Sequence, residues 1–203
     1  QLYEQAGDRE GLWHAQANLC DLLRHKAAFA EGVHLLTEEL PALREGASAF
    51  RYALMLLNLA ELEVEMIRLG RARQRVERVE TELDLGEHLH LRAGLGLVKA
   101  KIALASGDHA AAFSFLDLLV GEAEDADLRI ISSQLRVYRG EARVSLGEME
   151  RGADDLALGI QQLQEEGHMP VLGEACAARA RALAGREDPD LSFGPWLQWM
   201  CAE

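Results

Sequence analysis

Residues 100–116 read AKIALASGDHAAAFSFL, and residues 140–156 read GEARVSLGEMERGADDL. Both open on a small residue (Ala100, Gly140) and carry a Gly-acid pair seven residues on (Gly107-Asp108, Gly147-Glu148). A second small residue follows at twelve (Ala112, Gly152) and a leucine at sixteen (Leu116, Leu156). The same frame placed on Cys20 gives Ala27, Phe29, Gly32 and Leu36. Two antiparallel helices approach closely only where both carry small side chains at the crossing, and a turn glycine ends the first helix in the left-handed conformation. The spacing therefore predicts a helical hairpin, three times over.

Composition agrees with that reading along the whole chain. Among 203 residues there are 35 Leu and 31 Ala but only 16 Val, Ile and Thr together, so helix formers dominate and the residues that stiffen strands are scarce. An all-β fold is excluded. The prolines stand at 41, 170, 189 and 195, which leaves residues 42–169 free for uninterrupted helices. Apolar periodicity (Leu12, Leu19, Leu22, Leu23; Leu54, Leu57, Leu62, Met66; Ile131, Leu135, Tyr138, Ala142) places helices at 9–25, 28–44, 47–69, 71–84, 87–106, 109–123, 126–146, 149–166 and 171–184. The longest stretch without a charged residue, 191–202, is well short of the roughly 20 apolar residues a membrane helix needs.

The two small positions, the Gly-acid turn and the large side chain after it resemble the tetratricopeptide repeat family. The resemblance implies an all-α, right-handed superhelical solenoid of antiparallel helix pairs, here about four hairpins plus a C-terminal capping helix over residues 1–184. Residues 185–203 are a polar linker and an aromatic tail. The unit centred on Gly70 departs from the pattern: Ala72 and Val79 fit, but its crossing positions fall on Glu63 and Arg75, which predicts a splayed hairpin. Turns centred on Ala27, Gly70, Gly107 and Gly147 are unevenly spaced and further apart than is usual in the family. Such long units resemble those of bacterial multidomain regulators, namely signal-transducing nucleotidases, maltose-activator-like transcription factors and Ser/Thr kinases. The opening segment, residues 2–11, resembles an inter-repeat junction, so an upstream repeat is expected.

Charge and cysteine usage narrow the function classes. The net charge of −13 is uneven, with −3 on residues 1–101 and −10 on residues 102–203, which disfavours binding to phosphate backbones. Cys20, Cys176 and Cys201 form no CxxC pair and no even framework, and no basic, apolar leader opens the chain. A reducing cytoplasm is the expected compartment. Motifs for phosphate loops, zinc proteases and serine hydrolases are missing, and His88 and His90 would point about 200° apart on a helix. Neither enzyme, metal nor cofactor is expected.

Two arginine groups stand out. Arg68, Arg71, Arg73, Arg75 and Arg78 crowd one turn and the next helix, but Glu77 and Glu82 lie four residues after Arg73 and Arg78, and no aromatic is interleaved for base stacking. Surface ion pairing is the expectation there, and nucleic acid is not an expected partner. Arg129, Arg136 and Arg143, with Arg139, recur on the first helix of a hairpin. In the resembled family first helices line the concave groove, so these guanidinium forks are candidates for binding an acidic peptide. The competing expectation is a solvated stripe paired with Glu122, Glu124, Asp125 and the next helix's acids.

In the tail, Phe193, Trp196 and Trp199 concentrate three aromatic rings near the end of a chain that is only 5% aromatic. They either cover the last repeat or contact a partner. The functional expectation is a protein-interaction scaffold or regulatory segment of a larger bacterial signalling protein, binding a protein, a peptide or another domain of its parent. The alternative is a repeat domain that senses a peptide or small effector.

Overall fold

The computed structural model describes residues 9–86, 88–167 and 169–183. The expected aromatic tail, with Phe193, Trp196 and Trp199, lies outside the described residues. Among those described there are nine helices and no strand: α1 (Arg9–His25), α2 (Phe29–Gly46), α3 (Ala49–Glu65), α4 (Leu69–Glu82), α5 (Leu89–Ala105), α6 (His109–Asp125), α7 (Arg129–Ser145), α8 (Met149–Glu165) and α9 (Met169–Leu183). Each helix packs on its neighbours in the chain. The odd-numbered helices also pack side by side, α1 on α3, α3 on α5, α5 on α7 and α7 on α9.

The hairpin frame reappears as geometry. Ala27, Gly107 and Gly147 all have positive φ, at 54°, 77° and 92°. The residue after each of them closes a helix end by donating its N–H to a carbonyl five residues back: Ala28 to Leu23, Asp108 to Ala103 and Glu148 to Arg143, at 2.8–2.9 Å. This satisfies carbonyls that the helix end would otherwise leave without partners. Cys20, Ala100 and Gly140 on the first helices, and Gly32, Ala112 and Gly152 on the second, are buried at the crossings, with Leu36, Leu116 and Leu156 beside them.

The second unit corrects the sequence register. Its turn is not at Gly70, which sits inside α4 with no atom within 4 Å of where a Cβ would stand. The turn is at Ile67, with φ 56°, and Arg68 donates to the Glu63 carbonyl at 2.8 Å as in the other hairpins. The helix expected over 47–69 therefore ends at Glu65. The crossing residues become Ala60 and Ala72, with Val76 at the large position, all buried. Glu63 and Arg75 lie three residues past them, so the hairpin obeys the same frame as the others. With that shift the turns fall at Ala27, Ile67, Gly107 and Gly147, at equal intervals along the chain. Left-handed residues also stand about midway, at Gly86, Asp127 and Gly167.

Burial explains the composition of individual helices. α5 touches two apolar clusters: Ala93, Leu97, Ala100 and Ala103 belong to one, and Leu91, Val98 and Ile102 to the other. It is consequently apolar nearly all round, as a helix enclosed on several sides must be. Gly96 has a packing role there, because a Cβ on it would stand 2.1 Å from Leu119 Cδ1 of α6. Successive hairpins interlock as well, with Leu62 of α3 lying against Gly32 of α2. Burying a leucine such as this one contributes roughly 1.5–3 kcal/mol.

Candidate functional site

The shared face of the odd-numbered helices carries a cleft of about 340 Å³. The end of α3 supplies Val64 and Glu65, the turn after it Ile67, α5 supplies Lys101 and Leu104, α7 supplies Tyr138 and Glu141, and α9 adds Ala177. Its floor is charged yet buried. The Lys101 ammonium donates to Glu61 Oε1 at 3.0 Å and lies 5.1 Å from the Tyr138 ring centroid, while Glu61 Oε2 accepts from Arg24 at 3.0 Å. Cation, carboxylate and ring together make Lys101 tolerable at 4% side-chain exposure, since a buried charge needs both pairing and hydrogen bonds.

Sequence reasoning missed these residues. In the corrected register Glu61, Lys101 and Glu141 occupy one repeat position, immediately after the small crossing residues Ala60, Ala100 and Gly140. Alternating charge at a position next to the crossing was the available signal, and the misplaced second unit concealed it. At the rim, Ile67 combines two unusual properties. It is 80% exposed, and it is a β-branched residue held at positive φ, a conformation that disfavours its side chain.

The four candidate arginines divide. Arg129 is exposed at the start of α7 and pairs with Asp127 at 3.2 Å and Glu166 at 3.3 Å. Arg136, Arg139 and Arg143 instead point toward α6 and α8 and converge on Asp155. Arg139 grips both its oxygens at 2.7 and 2.8 Å, Arg143 donates at 2.9 Å, and Arg136 stands 3.5 Å away. Asp117, Glu124 and Glu148 complete the set, and the Arg143 guanidinium lies over the Phe113 ring. These three side chains are therefore engaged by carboxylates of their own chain, and the α7 residues that line the cleft are Tyr138 and Glu141. The physical reason is that a seven-residue recurrence fixes one face of α7, and that face is the one lying between α6 and α8.

Burial and crowding set the protonation energetics of this network. Loss of water lowers the pKa of Arg136, Asp155 partly restores it, and the positive Arg139 and Arg143 lower it further. For Arg139 burial acts in the same lowering sense but is outweighed by Asp155 and Asp117, so its pKa rises. Two hairpins earlier the equivalent pair has reversed charge: Glu63 stands where Arg143 does, and Arg75 where Asp155 does. Arg75 lies 3.6 Å from Glu63 Oε1, and neither carboxylate oxygen of Glu63 has a hydrogen bond.

Burial pushes the Glu63 carboxyl above its usual 4.5, although Arg75 pulls it back. The folded chain then holds this proton more tightly than the unfolded chain does. Its contribution to stability is present at low pH and is lost as pH rises through the folded pKa. Glu63→Gln has no such proton to lose. The stability of this variant relative to the native chain should increase as pH rises above about 4.5 in paired urea titrations. A relative stability that decreases as pH rises would show that the Arg75 attraction dominates.

Within the other arginine group, individual side chains have partners in the chain. Arg78 pairs with Glu82 at 3.2 Å, and Arg73 donates to Ser106 Oγ at 2.6 Å, just past the end of α5. The His88 ring packs edge-on against Phe50, and His90 is exposed in the first turn of α5. Among the described residues no three His, Cys, Asp or Glu side chains gather as a metal site would require, and no helix is long and apolar enough to cross a membrane. No protein-family model, curated protein or solved structure matches this chain, so its functional reading rests on the geometry itself.

Proposed function

We propose that the chain is a protein-interaction scaffold, a regulatory segment of a larger bacterial signalling protein. In this reading its hairpins stack in the tetratricopeptide manner into a right-handed superhelix whose odd-numbered helices line the concave side. The observation that carries it is the cleft, because three successive hairpins and the last described helix contribute to it. A recognition surface built across repeats grows with each unit and needs no catalytic group. Its apolar rim at Val64, Ile67 and Leu104 and its charged floor at Lys101 and Glu141 suit a peptide segment with mixed apolar and polar side chains. The enclosed floor also favours a second reading, a sensor of a peptide or small effector, since about 340 Å³ is within the span of small-molecule sites.

Ile67 separates function from stability in one variant. Ile67→Gly relieves the left-handed strain and loses little packing from a side chain that is 80% exposed, so it should stabilise the fold by roughly 0.5–1 kcal/mol. The same change removes the rim of the cleft. Peptides selected by phage display on the native chain should bind Ile67→Gly and Leu104→Glu at least about tenfold more weakly by calorimetry. Binding to Leu118→Glu, altered at an exposed position on α6, should be unchanged. Selected peptides that bind all the variants equally would remove the cleft as the recognition site. A melting-temperature shift with a small metabolite, abolished by Leu104→Glu, would favour the sensor.

A further inference from the structure

A second cavity, of about 400 Å³, lies between α4, α5 and the start of α6 and shares no residue with the cleft. Its floor is apolar, built from Val76, Ile102, Ala103 and Phe115, and its rim carries the exposed carboxylates Glu77 and Asp108. One repeat later the corresponding seam, where α6 meets α7 and α8, is crossed by the side chain of Arg143. We propose that the cavity receives the guanidinium group of an arginine side chain from a partner protein, in the place that Arg143 takes in the next repeat.

The repeat itself shows what such a seam holds. Arg143 is surrounded by Asp155 at 2.9 Å, Asp117 at 3.5 Å and Glu148 at 3.7 Å. One repeat earlier Ala103 stands at its position, Glu77 at that of Asp117, Asp108 at that of Glu148 and Phe115 at that of Asp155. Two of the three carboxylates are kept, and the cation between them is replaced by a methyl group. Among the described residues Glu77 has no ion pair, and the Asp108 carboxylate has only the capping bond from the Ala111 N–H at 3.1 Å. In the seam before, the same position is Glu63, opposite Arg75. The seams on both sides therefore carry a charge at this position with its counter-charge across from it, and the middle one carries only the counter-charges.

The positions of the other two arginines are filled. At that of Arg136 stands Gly96, whose space Leu119 takes. At that of Arg139 stands Lys99, which pairs with Glu80 at 2.7 Å and lies 4.5 Å from the Phe115 ring centroid. Arg73 works against a further cation, but its guanidinium is drawn to Ser106 Oγ at 2.6 Å, and in the next repeat Arg139 and Arg143 lie together among their carboxylates. A planar fork suits two separate carboxylates beside an aromatic ring better than a compact ammonium does, and the arginine stem covers the apolar floor. Both lining cations are already engaged, which leaves the carboxylate of a free amino acid without a partner and favours an arginine within a polypeptide.

The probe is N-acetyl-arginine amide, in which the guanidinium is the only charge, titrated into the full chain and followed by backbone amide NMR shifts. Saturable shifts are expected at Glu77, Ala103, Asp108 and Ala111. The citrulline analogue, of the same shape without the charge, and the lysine analogue should bind at least about tenfold more weakly. Ala103→Arg supplies the group from within the chain and should abolish binding of the probe. Glu77→Gln, at an exposed position, should weaken binding and decides the matter should Ala103→Arg fail to fold. Shifts confined to other residues, equal binding of the citrulline or lysine analogue, or unchanged binding to Glu77→Gln would overturn the proposal. Free L-arginine binding more tightly than the blocked probe would assign the cavity to a small molecule and overturn the partner protein. None of these outcomes depends on the cleft being a peptide site.

Discussion

Asp155→Ala is expected to lower the unfolding free energy by about 3–5 kcal/mol, the cost of breaking a buried ion pair from one side. The carboxylate is 6% exposed and is the shared partner of Arg136, Arg139 and Arg143, whose side chains are only 12–17% exposed. Removing it leaves three guanidinium groups near one another with Asp117, Glu124 and Glu148 as the remaining counter-charges, all of them more exposed than Asp155. Burial, the main reason the Arg136 pKa is lowered, and the repulsion from Arg139 and Arg143 that adds to it would then act without their main offset. Asp155→Asn retains the shape and part of the acceptor capacity, so it should fall between the two. A double replacement, Arg139→Met with Asp155→Leu, should recover much of the loss, because two apolar side chains leave less uncompensated charge. Urea denaturation of the four chains measures this. A loss of under about 1 kcal/mol for Asp155→Ala would place the network among screened surface pairs.

How much of this was legible in the chain depends on what each residue signals by itself. Gly107 and Gly147 mark their turns because glycine is the residue that takes positive φ without strain, and both hairpins were found from that pattern. Ile67 gives no such signal. A β-branched residue in the left-handed region is disfavoured, so nearby Gly70 drew the turn three residues too far and made Glu63 and Arg75 look like crossing residues. Tertiary packing of Ala60 against Ala72, not local propensity, decides that turn. The arginine stripe of α7 was visible as a recurrence, but its destination depends on Asp155 and Asp117 of two other helices. The cleft was harder still, since Val64, Leu104 and Tyr138 belong to different repeats and meet only when successive hairpins are laid side by side. Once the second turn is set at Ile67, Glu61, Lys101 and Glu141 align without further information.

Gly140→Leu tests the hairpin frame itself, and a loss at or above the upper end of the roughly 1–3 kcal/mol range for overpacking is expected. A β-carbon at Gly140 would stand 2.8 Å from the Gly152 carbonyl oxygen and 3.0 Å from the Leu156 backbone nitrogen. Those neighbours are backbone atoms of α8, so no rotamer change relieves the clash and the two helices must separate. Separation is costly because the reverse contact is equally tight, with Gly152 lying against the Val144 nitrogen and the Gly140 carbonyl oxygen. It would also pull Arg139 and Arg143 away from Asp155, coupling this change to the ion network. Gly140→Ala should already destabilise, since the clash begins at the first side-chain atom. Gly70→Ala provides the contrast: it lies within α4 with open space around it, so exchanging glycine for alanine there should stabilise by up to about 1 kcal/mol. Urea or thermal midpoints of the three variants should therefore shift in opposite directions at the two glycines. An unchanged midpoint for Gly140→Leu would mean that α7 and α8 do not cross at these residues, and the frame read from residues 140–156 would fail with it.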